Sequence, residues 1–299
     1  MNPIQVSGET RKKMAAMDHT LLFHRVMTQA HRWFQPYEQP ECDFQNQLDI
    51  LAPDIHILTT FGEVHGHQEY EQGFARLPAH WRNAHHVQAA EARLLGDDSF
   101  ALTMEVVYQN IGLATAGQVQ SHRLRYTTLF SSDAFLPQFK DIVTEPIGPE
   151  TASIFGSFTD AYGQNRTKSL VHYWLALIEA NTGDATPFQE IITEDLDFDF
   201  TTQRIRTFAD FQQWFQTTSA SVFKSSHLIK DFEVKQVETN RYRVTMEFDW
   251  SGFARSNPHQ ELEARTRHEW VVLDHPGERF ARIQSIKVQA IKPFQHKVK

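Results

Sequence analysis

The sequence has almost no cysteine: Cys42 is the only one among its 299 residues. A single cysteine cannot close an internal disulfide, so we do not expect a disulfide-stapled secreted domain, and a reducing cytoplasm is the expected location. No stretch approaches the roughly 18 consecutive apolar residues that indicate a membrane-spanning helix. The N-terminal residues also lack the apolar segment of a secretory signal. These absences predict a cytoplasmic protein without a membrane partner.

The sequence is also poor in positive charge and in the motifs of cofactor chemistry. It contains 29 Lys and Arg against 37 Asp and Glu, and its formal net charge is -8. Surfaces that bind nucleic acid are basic, so this balance argues against a nucleic-acid partner. The sequence contains no P-loop, no dinucleotide-binding glycine fingerprint, no nucleophile elbow and no cysteine pair. We therefore expect no cofactor.

What the chain does contain is an internal repeat. TMEVVY begins at Thr103 and TMEFDW begins at Thr245, and the surroundings of the two stretches also match. Aligned with itself at an offset of 141 or 142 residues, the chain shows collinear matches along most of each copy, which we interpret as a duplication. The matched pairs include His31 and His172, Trp33 and Trp174, His86 and His227, Arg125 and Arg267, Phe139 and Phe280, and Ile142 and Ile283.

The repeat predicts two domains of ordinary size, each able to bury its own core. We predict a polar N-terminal arm at residues 1–18, a first domain at 19–145, a linker at 146–165 and a second domain at 166–299. Proline, glycine and serine are frequent between the copies, as they are in linkers, and a short apolar docking segment is predicted around Ile154 to Phe158.

Each copy has the same predicted order of elements. A long helix and a short helix come first, followed by a strand with its return, another helix and the long strands of a β-meander. In the second copy the first strand alternates strictly, with Leu196 and Phe198 on one side and Asp197 and Asp199 on the other. We expect an α+β fold of two tandem cone-shaped barrels. In each, a curved, mostly antiparallel sheet wraps around about three helices and leaves a pocket at its open end.

Two sequence features accompany this order of elements. They are EVHGHQEYEQGF around Gly66, and HHVQ and SHLIK at the start of the next strand. With these features the chain resembles the nuclear transport factor 2-like superfamily, in its SnoaL-like and ketosteroid-isomerase-like branch. The resemblance implies a pocket for a small, largely apolar molecule. It also implies pairing of domains through their sheets, here as an internal pseudo-dimer and possible homodimer. The catalytic carboxylate of ketosteroid isomerases would fall on Thr59 and Phe200, so steroid-isomerase chemistry is not expected.

His86 and His227 are the leading candidates for a catalytic acid or base. They match between the copies and begin a strand that should line the cone, and a neutral imidazole can accept or donate a proton near pH 7. The alternative is a histidine that binds a backbone carbonyl at a strand end. Asp197 and Asp199 are further catalytic candidates, because neighbouring carboxylates on one face can form an acid–base pair. Their alternative is a solvated strand edge.

Candidates for ligand binding come in matched pairs. Glu105 and Glu247 lie in the middle of a strand and face either the cone or the opposite side. The arginines of the next strand, with Arg125 and Arg267 among them, could clamp an anionic group of a substrate or form cross-strand ion pairs with these glutamates. His31 and His172, on the first helix of each copy, are expected to border the mouth of the pocket.

The first copy also holds a cluster of histidines. Its members are His56, His65, His67, His80, His85 and His86. A hairpin turn at Phe61-Gly62 would place His56 and His65 on one face, and three histidines can bind zinc or copper. The second copy does not repeat the cluster and the spacing matches no compact metal motif, so no metal site is predicted.

Three functions are consistent with these patterns. The first is an enzyme that uses acid–base chemistry on a small apolar molecule, of the isomerase, cyclase, dehydratase or hydrolase type. The second is a non-catalytic ligand-binding or scaffold protein, and the 23 phenylalanines favour cones filled by side chains. The third is a module that binds another protein through a sheet face. The differences in polar residues between the copies indicate that at most one pocket is active.

Overall fold

The structure of the protein is a computed structural model, and it describes residues 7–96, 99–112, 118–131, 134–148, 157–201 and 203–296. Most of the docking segment predicted around Ile154 to Phe158 lies outside these residues. The helices are α1 (Gly8–Glu38), α2 (Phe44–Leu48), α3 (Gly66–Phe74), α4 (Tyr162–Ala180) and α5 (Phe208–Ser221), with a 3-10 helix at Thr186–Glu190. The strands are β1 (Leu51–Thr59), β2 (Gly62–His65), β3 (Arg82–Gly96), β4 (Ser99–Ile111), β5 (Val119–Ser131), β6 (Phe139–Pro146), β7 (Ile192–Phe200), β8 (Gln203–Ile205), β9 (Val222–Glu238), β10 (Arg241–Ala254), β11 (Asn257–Leu273) and β12 (Arg282–His296).

The strands form two six-stranded sheets with the same topology. The order is β2-β1-β6-β5-β4-β3 in the first sheet and β8-β7-β12-β11-β10-β9 in the second. Neighbouring strands are antiparallel except β1 with β6 and β7 with β12, which are parallel. Helices precede the long strands in both copies. The predicted α+β architecture, two tandem copies of a mostly antiparallel sheet with its helices, is confirmed.

Two compact units contain these sheets. The β1–β6 unit comprises Arg25–Ser169 and Pro276–Arg279. The β7–β12 unit comprises Met1–His24, Leu170–His275 and Phe280–Lys299. Both long helices are therefore divided, α1 after His24 and α4 after Ser169. Among the described residues, no helix is both long enough and apolar enough to cross a membrane.

Helix α1 begins at Gly8 and covers most of the stretch that was expected to be a polar arm. Ser7 Oγ accepts a hydrogen bond from the backbone N–H of Thr10 at 3.1 Å, which satisfies one free donor of the first turn. Met17 is buried, and Lys13 Nζ lies 2.9 Å from Glu261 within the same unit. These contacts hold the first turns of α1 in place despite their polar composition.

Side-chain alternation sets the two faces of each sheet. In β4, Met104 and Val106 are buried on the inner face, so Glu105 points outwards. In β7, Leu196 and Phe198 are buried and the aspartates between them are not. This is the alternation that the sequence predicts. The junction of β2 and α3 requires a glycine, because Gly66 has φ +71° and a Cβ there would lie 3.2 Å from the carbonyl oxygen of Pro53.

The strand ladders change one alignment of the repeat that matters for the site. His85 lies opposite Tyr108, and His227 lies opposite Trp250. Because the offset on this neighbouring strand is 142, Tyr108 and Trp250 are equivalent, and His227 therefore corresponds to His85. The matching of His227 with His86 was wrong by one residue. The extra residue lies between the third helix and the long strand, because α5 runs directly into β9 whereas a loop joins α3 to β3.

The last strand is shifted as well. Ile142 lies opposite Ile57 on β1, and Ile286 lies opposite Phe198 on β7. Since Ile57 and Phe198 occupy the same place in two strands with the same burial pattern, Ile142 corresponds to Ile286. The sequence match of Ile142 with Ile283 is therefore not the structural one.

Candidate active site

A cavity of about 420 Å³ opens inside the β1–β6 unit. Pockets for small ligands have volumes in this range. Its wall is rich in aromatic residues, and it is built by α1, α3, the β1–β2 hairpin and the inner face of the sheet. Residues Trp33, Tyr37, Phe61, Tyr70, Phe74, Trp81, Tyr108 and Tyr126 supply the aromatic wall, with His85 and Asn83 as polar groups among them.

His85 is held in this wall by Glu38, at the C-terminal end of α1. Glu38 Oε1 accepts the backbone N–H of His85 at 2.7 Å and lies 3.1 Å from His85 Nδ1. The imidazole also stacks on Phe34, with ring centroids 4.6 Å apart. Among the described residues, none forms a hydrogen bond with Nε2 of His85. With Nδ1–H directed at the carboxylate, Nε2 keeps its lone pair for a molecule in the cavity.

Asn165, in the second turn of α4, completes this arrangement. Its Nδ2 donates to Glu38 Oε1 at 2.9 Å and to the carbonyl oxygen of His85 at 3.0 Å. Its Oδ1 lies 2.8 Å from Nδ1 of His31. Burial raises the pKa of Glu38, although the hydrogen bonds from His85 and Asn165 oppose the shift. Glu38 is thus a carboxyl group that holds a proton more readily than usual next to an imidazole.

Two tyrosines supply hydroxyl groups to the cavity wall. Tyr108 donates its hydroxyl proton to Asn83 Oδ1 at 2.8 Å, and burial raises the pKa of Tyr108 to about 12. Burial also raises the pKa of Tyr126, which faces the same cavity. Both phenols therefore stay protonated at neutral pH and can act as hydrogen-bond donors rather than as bases.

The β7–β12 unit repeats the histidine–carboxylate contact. Glu179 Oε1 accepts the backbone N–H of His227 at 2.6 Å and lies 3.2 Å from its Nδ1. His24 takes the place that Asn165 has in the other unit: its Nε2 lies 3.0 Å from the carbonyl oxygen of His227, and its Nδ1 lies 2.8 Å from Nδ1 of His172. Burial alone would raise the pKa of Glu179, but the hydrogen bonds from His227 and His24 outweigh it and lower that pKa.

The interior of the β7–β12 unit is filled by aromatic side chains. Two of them stand where the cavity wall of the other unit has smaller residues: Phe200 replaces Thr59, and Trp214 replaces Gly73. The rings of Phe200 and Trp214 are in contact, with centroids 4.5 Å apart. Their neighbours form one continuous packed cluster around Trp174, Phe188, Phe198, Phe211 and Phe215.

The structure does not place His86 in the cavity. His86 and His85 are adjacent on β3 and point to opposite faces of the sheet. Nε2 of His86 lies 3.1 Å from the carbonyl oxygen of Thr159, so this side chain binds a backbone carbonyl, as the alternative interpretation expected. Burial lowers the pKa of His86. The residue that faces the cavity is its neighbour His85.

The helix histidines do not border the cavity mouth. His31 and His172 are both buried, with 1% and 5% of their surface exposed. Burial, helped by the nearby charge of Lys168, lowers the pKa of His31 to about 3, so the ring is neutral. Each histidine supports the residue that in turn supports the carboxylate of its unit.

The remaining predicted residues lie on outer faces and bind each other. Glu105 pairs with Arg125 at 3.6 Å, and Glu247 with Arg267. These are the cross-strand ion pairs of the structural alternative, and none of the four residues lines the cavity. Asp197 binds Arg204 with two hydrogen bonds on the outer face of β7, which lower the pKa of Asp197. Asp199 is exposed on the same face.

Three residues of the site were not predicted for it from the sequence: Glu38, His85, which was named only as a member of the histidine cluster, and Asn165. A signal for the first was present, because Glu38 and Glu179 are identical residues at the offset of 141. His85 was hidden by the one-residue shift. Asn165 has no identical partner, since His24 stands at the equivalent position.

No protein-family model and no curated protein sequence matches the chain. The chain does match solved structures. A candidate scytalone dehydratase from Novosphingobium aromaticivorans is 6% identical and has a TM-score of 0.40, with 46% of this chain and 88% of that one covered. A hexachlorocyclohexane dehydrochlorinase from Novosphingobium barchaimii is 8% identical with a TM-score of 0.38, covering 45% and 89%. A nuclear transport factor 2-like protein from Salmonella enterica is 13% identical with a TM-score of 0.36, covering 40% and 85%. Each match spans less than half of this chain, and the resemblance is one of fold.

Proposed function

We propose that the β1–β6 unit binds a small, largely apolar molecule in its cavity and that His85 acts on this molecule as a general base. One observation carries the proposal: Nδ1 of His85 is fixed by Glu38, while Nε2 has no partner among the described residues and belongs to a side chain of the cavity wall. A base in this arrangement is oriented before the ligand arrives.

The surroundings favour removal of a proton from carbon. Aromatic walls exclude water and strengthen the interaction between the imidazole and a weakly acidic C–H group. Tyr126 keeps its phenolic proton and can donate a hydrogen bond to an oxygen that gains negative charge. The proposed chemistry is therefore an isomerisation or an elimination, in which His85 takes the proton and Glu38 stabilises the imidazolium that forms.

The β7–β12 unit is proposed to be a non-catalytic scaffold. It keeps the histidine–carboxylate pair, but Phe200 and Trp214 occupy space that a ligand would need. His268, at the place of Tyr126, is also engaged: its Nε2 lies 3.0 Å from Thr266 Oγ1. This unit thus supports the non-catalytic alternative, for its own half of the chain.

A carbon acid that reports its own deprotonation tests the proposal. 5-Nitrobenzisoxazole is small and aromatic, and removal of its C–H proton breaks the N–O bond and releases a coloured phenolate. The full chain should accelerate this reaction, and His85→Gln should lower the rate by about 100-fold, the usual contribution of a general base. The matched controls His86→Gln and His227→Gln should retain the rate.

Equal rates for the wild type and His85→Gln, or no acceleration by the wild type, would contradict the assignment of His85 as a base. Ligand binding has its own test. Native mass spectrometry of the purified chain should detect a bound small molecule, which is then released and identified. If the ligand stays bound in a variant that fills the cavity, such as Gly73→Trp, the binding site lies elsewhere.

A further inference from the structure

Two histidines and a glutamate converge on one point of the β1–β2 hairpin. His56 lies directly opposite His65, and their rings stack with centroids 4.9 Å apart. Glu63 Oε1 lies 3.0 Å from Nε2 of His56 and 3.2 Å from Nε2 of His65. These three side chains present one nitrogen or oxygen atom each within 4.8 Å of one another. The atoms are already about as close as the ligands of one tetrahedral ion.

Carboxylate oxygens fix the imidazole of His56 on both sides. Its Nε2 faces Glu63, and its Nδ1 lies 2.9 Å from Asp141 Oδ1, so both ring nitrogens face carboxylate oxygens. With a metal ion on Nε2, Nδ1–H of His56 would still donate to Asp141. The same oxygen of Glu63 also faces His65. A cation between Glu63 and the two Nε2 atoms would satisfy all of these contacts.

In the second copy, arginine side chains contact the carboxylate at the equivalent position. Asp197 takes the place of His56, and arginines take the places of the two hairpin residues. Arg204 binds Asp197 with hydrogen bonds of 2.7 and 2.5 Å, and Arg206 lies 4.0 Å from it. Positive side chains therefore balance the carboxylate in β7–β8. In the part of the chain that the structure describes, no lysine or arginine pairs with Glu63 or Asp141.

We propose that His56, Glu63 and His65 bind a divalent transition-metal ion of the zinc class, with Asp141 orienting His56. Two imidazole nitrogens and one carboxylate oxygen are a zinc-type ligand set, whereas magnesium and calcium prefer oxygen ligands. The contact from Nδ1–H of His56 to Asp141 is the outer contact that metal-binding histidines usually make. Three protein ligands leave a position open for water. Since Thr60, Phe61 and Gly62 of the same hairpin line the cavity, a bound ion would brace the cavity wall.

The test is a metal titration of the untagged full chain after treatment with a chelator. Isothermal titration calorimetry with zinc chloride should show one ion bound per chain. Glu63→Gln and His65→Ala each remove one ligand and should weaken zinc binding at least tenfold. Asp141→Asn keeps all three ligands and should weaken binding by about 10–100-fold. The matched control is His259→Ala, which removes an exposed histidine of the β7–β12 unit.

Cobalt(II) supplies a second readout, since its visible absorption should appear on binding and be lost in Glu63→Gln. His65 and Glu63 are exposed, with 63% and 55% of their side chains accessible, so these variants should keep the circular dichroism of the wild type. The proposal is overturned if zinc does not bind the chelator-treated chain, or if Glu63→Gln and His65→Ala bind it as the wild type does. Displacement of zinc by millimolar magnesium would equally contradict the ligand set.

Discussion

Asn165 and His24 occupy equivalent positions in their respective units. Asn165 Nδ2 lies 3.0 Å from the carbonyl oxygen of His85, and His24 Nε2 lies 3.0 Å from the carbonyl oxygen of His227. Both also contact the carboxylate that holds the strand histidine. One partner is a neutral amide and the other is an imidazole, which can carry charge. The two carboxylates therefore have opposite pKa shifts, raised for Glu38 and lowered for Glu179.

These opposite shifts predict unequal costs for the same substitution. A lowered pKa means that the ionised Glu179 stabilises the fold above the ordinary pKa of a carboxyl group, and that this contribution is lost as the pH falls. A raised pKa means that ionised Glu38 costs stability as the pH rises. At pH 7 we expect Glu179→Gln to lower the free energy of unfolding by more than about 3 kcal/mol, because it removes a buried, ionised hydrogen-bond acceptor of His227.

Glu38→Gln should cost less, about 1–3 kcal/mol, because burial makes the ionised form of Glu38 less favourable in the folded chain than in the unfolded chain. Urea unfolding of both variants at pH 7 measures the difference. An equal or larger loss for Glu38→Gln would show that Asn165 and His24 do not set the charge of their carboxylates.

Buried neutral histidines predict a loss of stability in acid. Burial is the main cause that lowers the pKa of both His31 and His268 to about 3, from an ordinary value of 6.5. Because the folded pKa is depressed, the unfolded chain binds protons first, and stability falls as the pH drops from 6.5 towards 3. Between pH 7 and pH 5, each of these histidines should lower the free energy of unfolding by about 2 kcal/mol.

The measurement is the free energy of unfolding in urea at pH 7 and pH 5. His31→Gln retains a polar group that can bond to Asn165 but does not titrate in this range. The loss between the two pH values should therefore be smaller in the variant by about 2 kcal/mol. A variant that loses as much as the wild type would indicate that His31 is accessible to protons in the folded state.

Arg125 on the outer sheet face should matter little. Arg125 forms an exposed ion pair with Glu105, and such pairs contribute about 0–1 kcal/mol. The partner of Arg267, Glu247, is buried. Arg125→Ala should change the free energy of unfolding within this range and leave the rate with 5-nitrobenzisoxazole unchanged. A loss of rate beyond tenfold in Arg125→Ala would restore the hypothesis of an anion clamp.

Sequence reasoning reached the fold because the fold depends on local patterns. The alternation of Leu196 and Phe198 with Asp197 and Asp199 sets the faces of β7, and the same alternation places Glu105 on the outer face of β4. The strict order of elements in two copies then defines both sheets.

The site depends on features that a pattern does not contain. A single extra residue before β9 in the second copy shifts the alignment of this strand by one, so His227 was matched to His86 although His85 is the residue that faces the cavity. Glu38 lies at the end of a helix, and its contact with His85 requires the packing of α1 against the sheet. The cavity itself exists because small residues stand where the second copy has aromatic ones, and volume is not visible in a hydrophobic pattern.

Gly73 provides the sharpest test of the cavity, because it lies in the cavity wall on α3 and Trp214 stands at the equivalent position of α5. A Cβ added at Gly73 would meet no atom within 4 Å, so the space beyond it is open. Gly73→Trp should therefore be accommodated without a clash at Cβ. We expect its indole to fill part of the cavity, because the ring of Trp214 contacts Phe200 at the equivalent place. We expect the variant to fold and to lose most of its rate with 5-nitrobenzisoxazole.

Gly73→Ala is the matched control, because it makes the same change of backbone freedom and fills almost none of the space. An alanine inside a helix is favoured over glycine by roughly 0.5–1 kcal/mol, so this variant should be slightly more stable and keep the wild-type rate. Native mass spectrometry should detect a bound molecule in Gly73→Ala and not in Gly73→Trp. If Gly73→Trp folds and keeps both the ligand and the rate, then neither depends on the cavity, and His85 would have to act from some other approach.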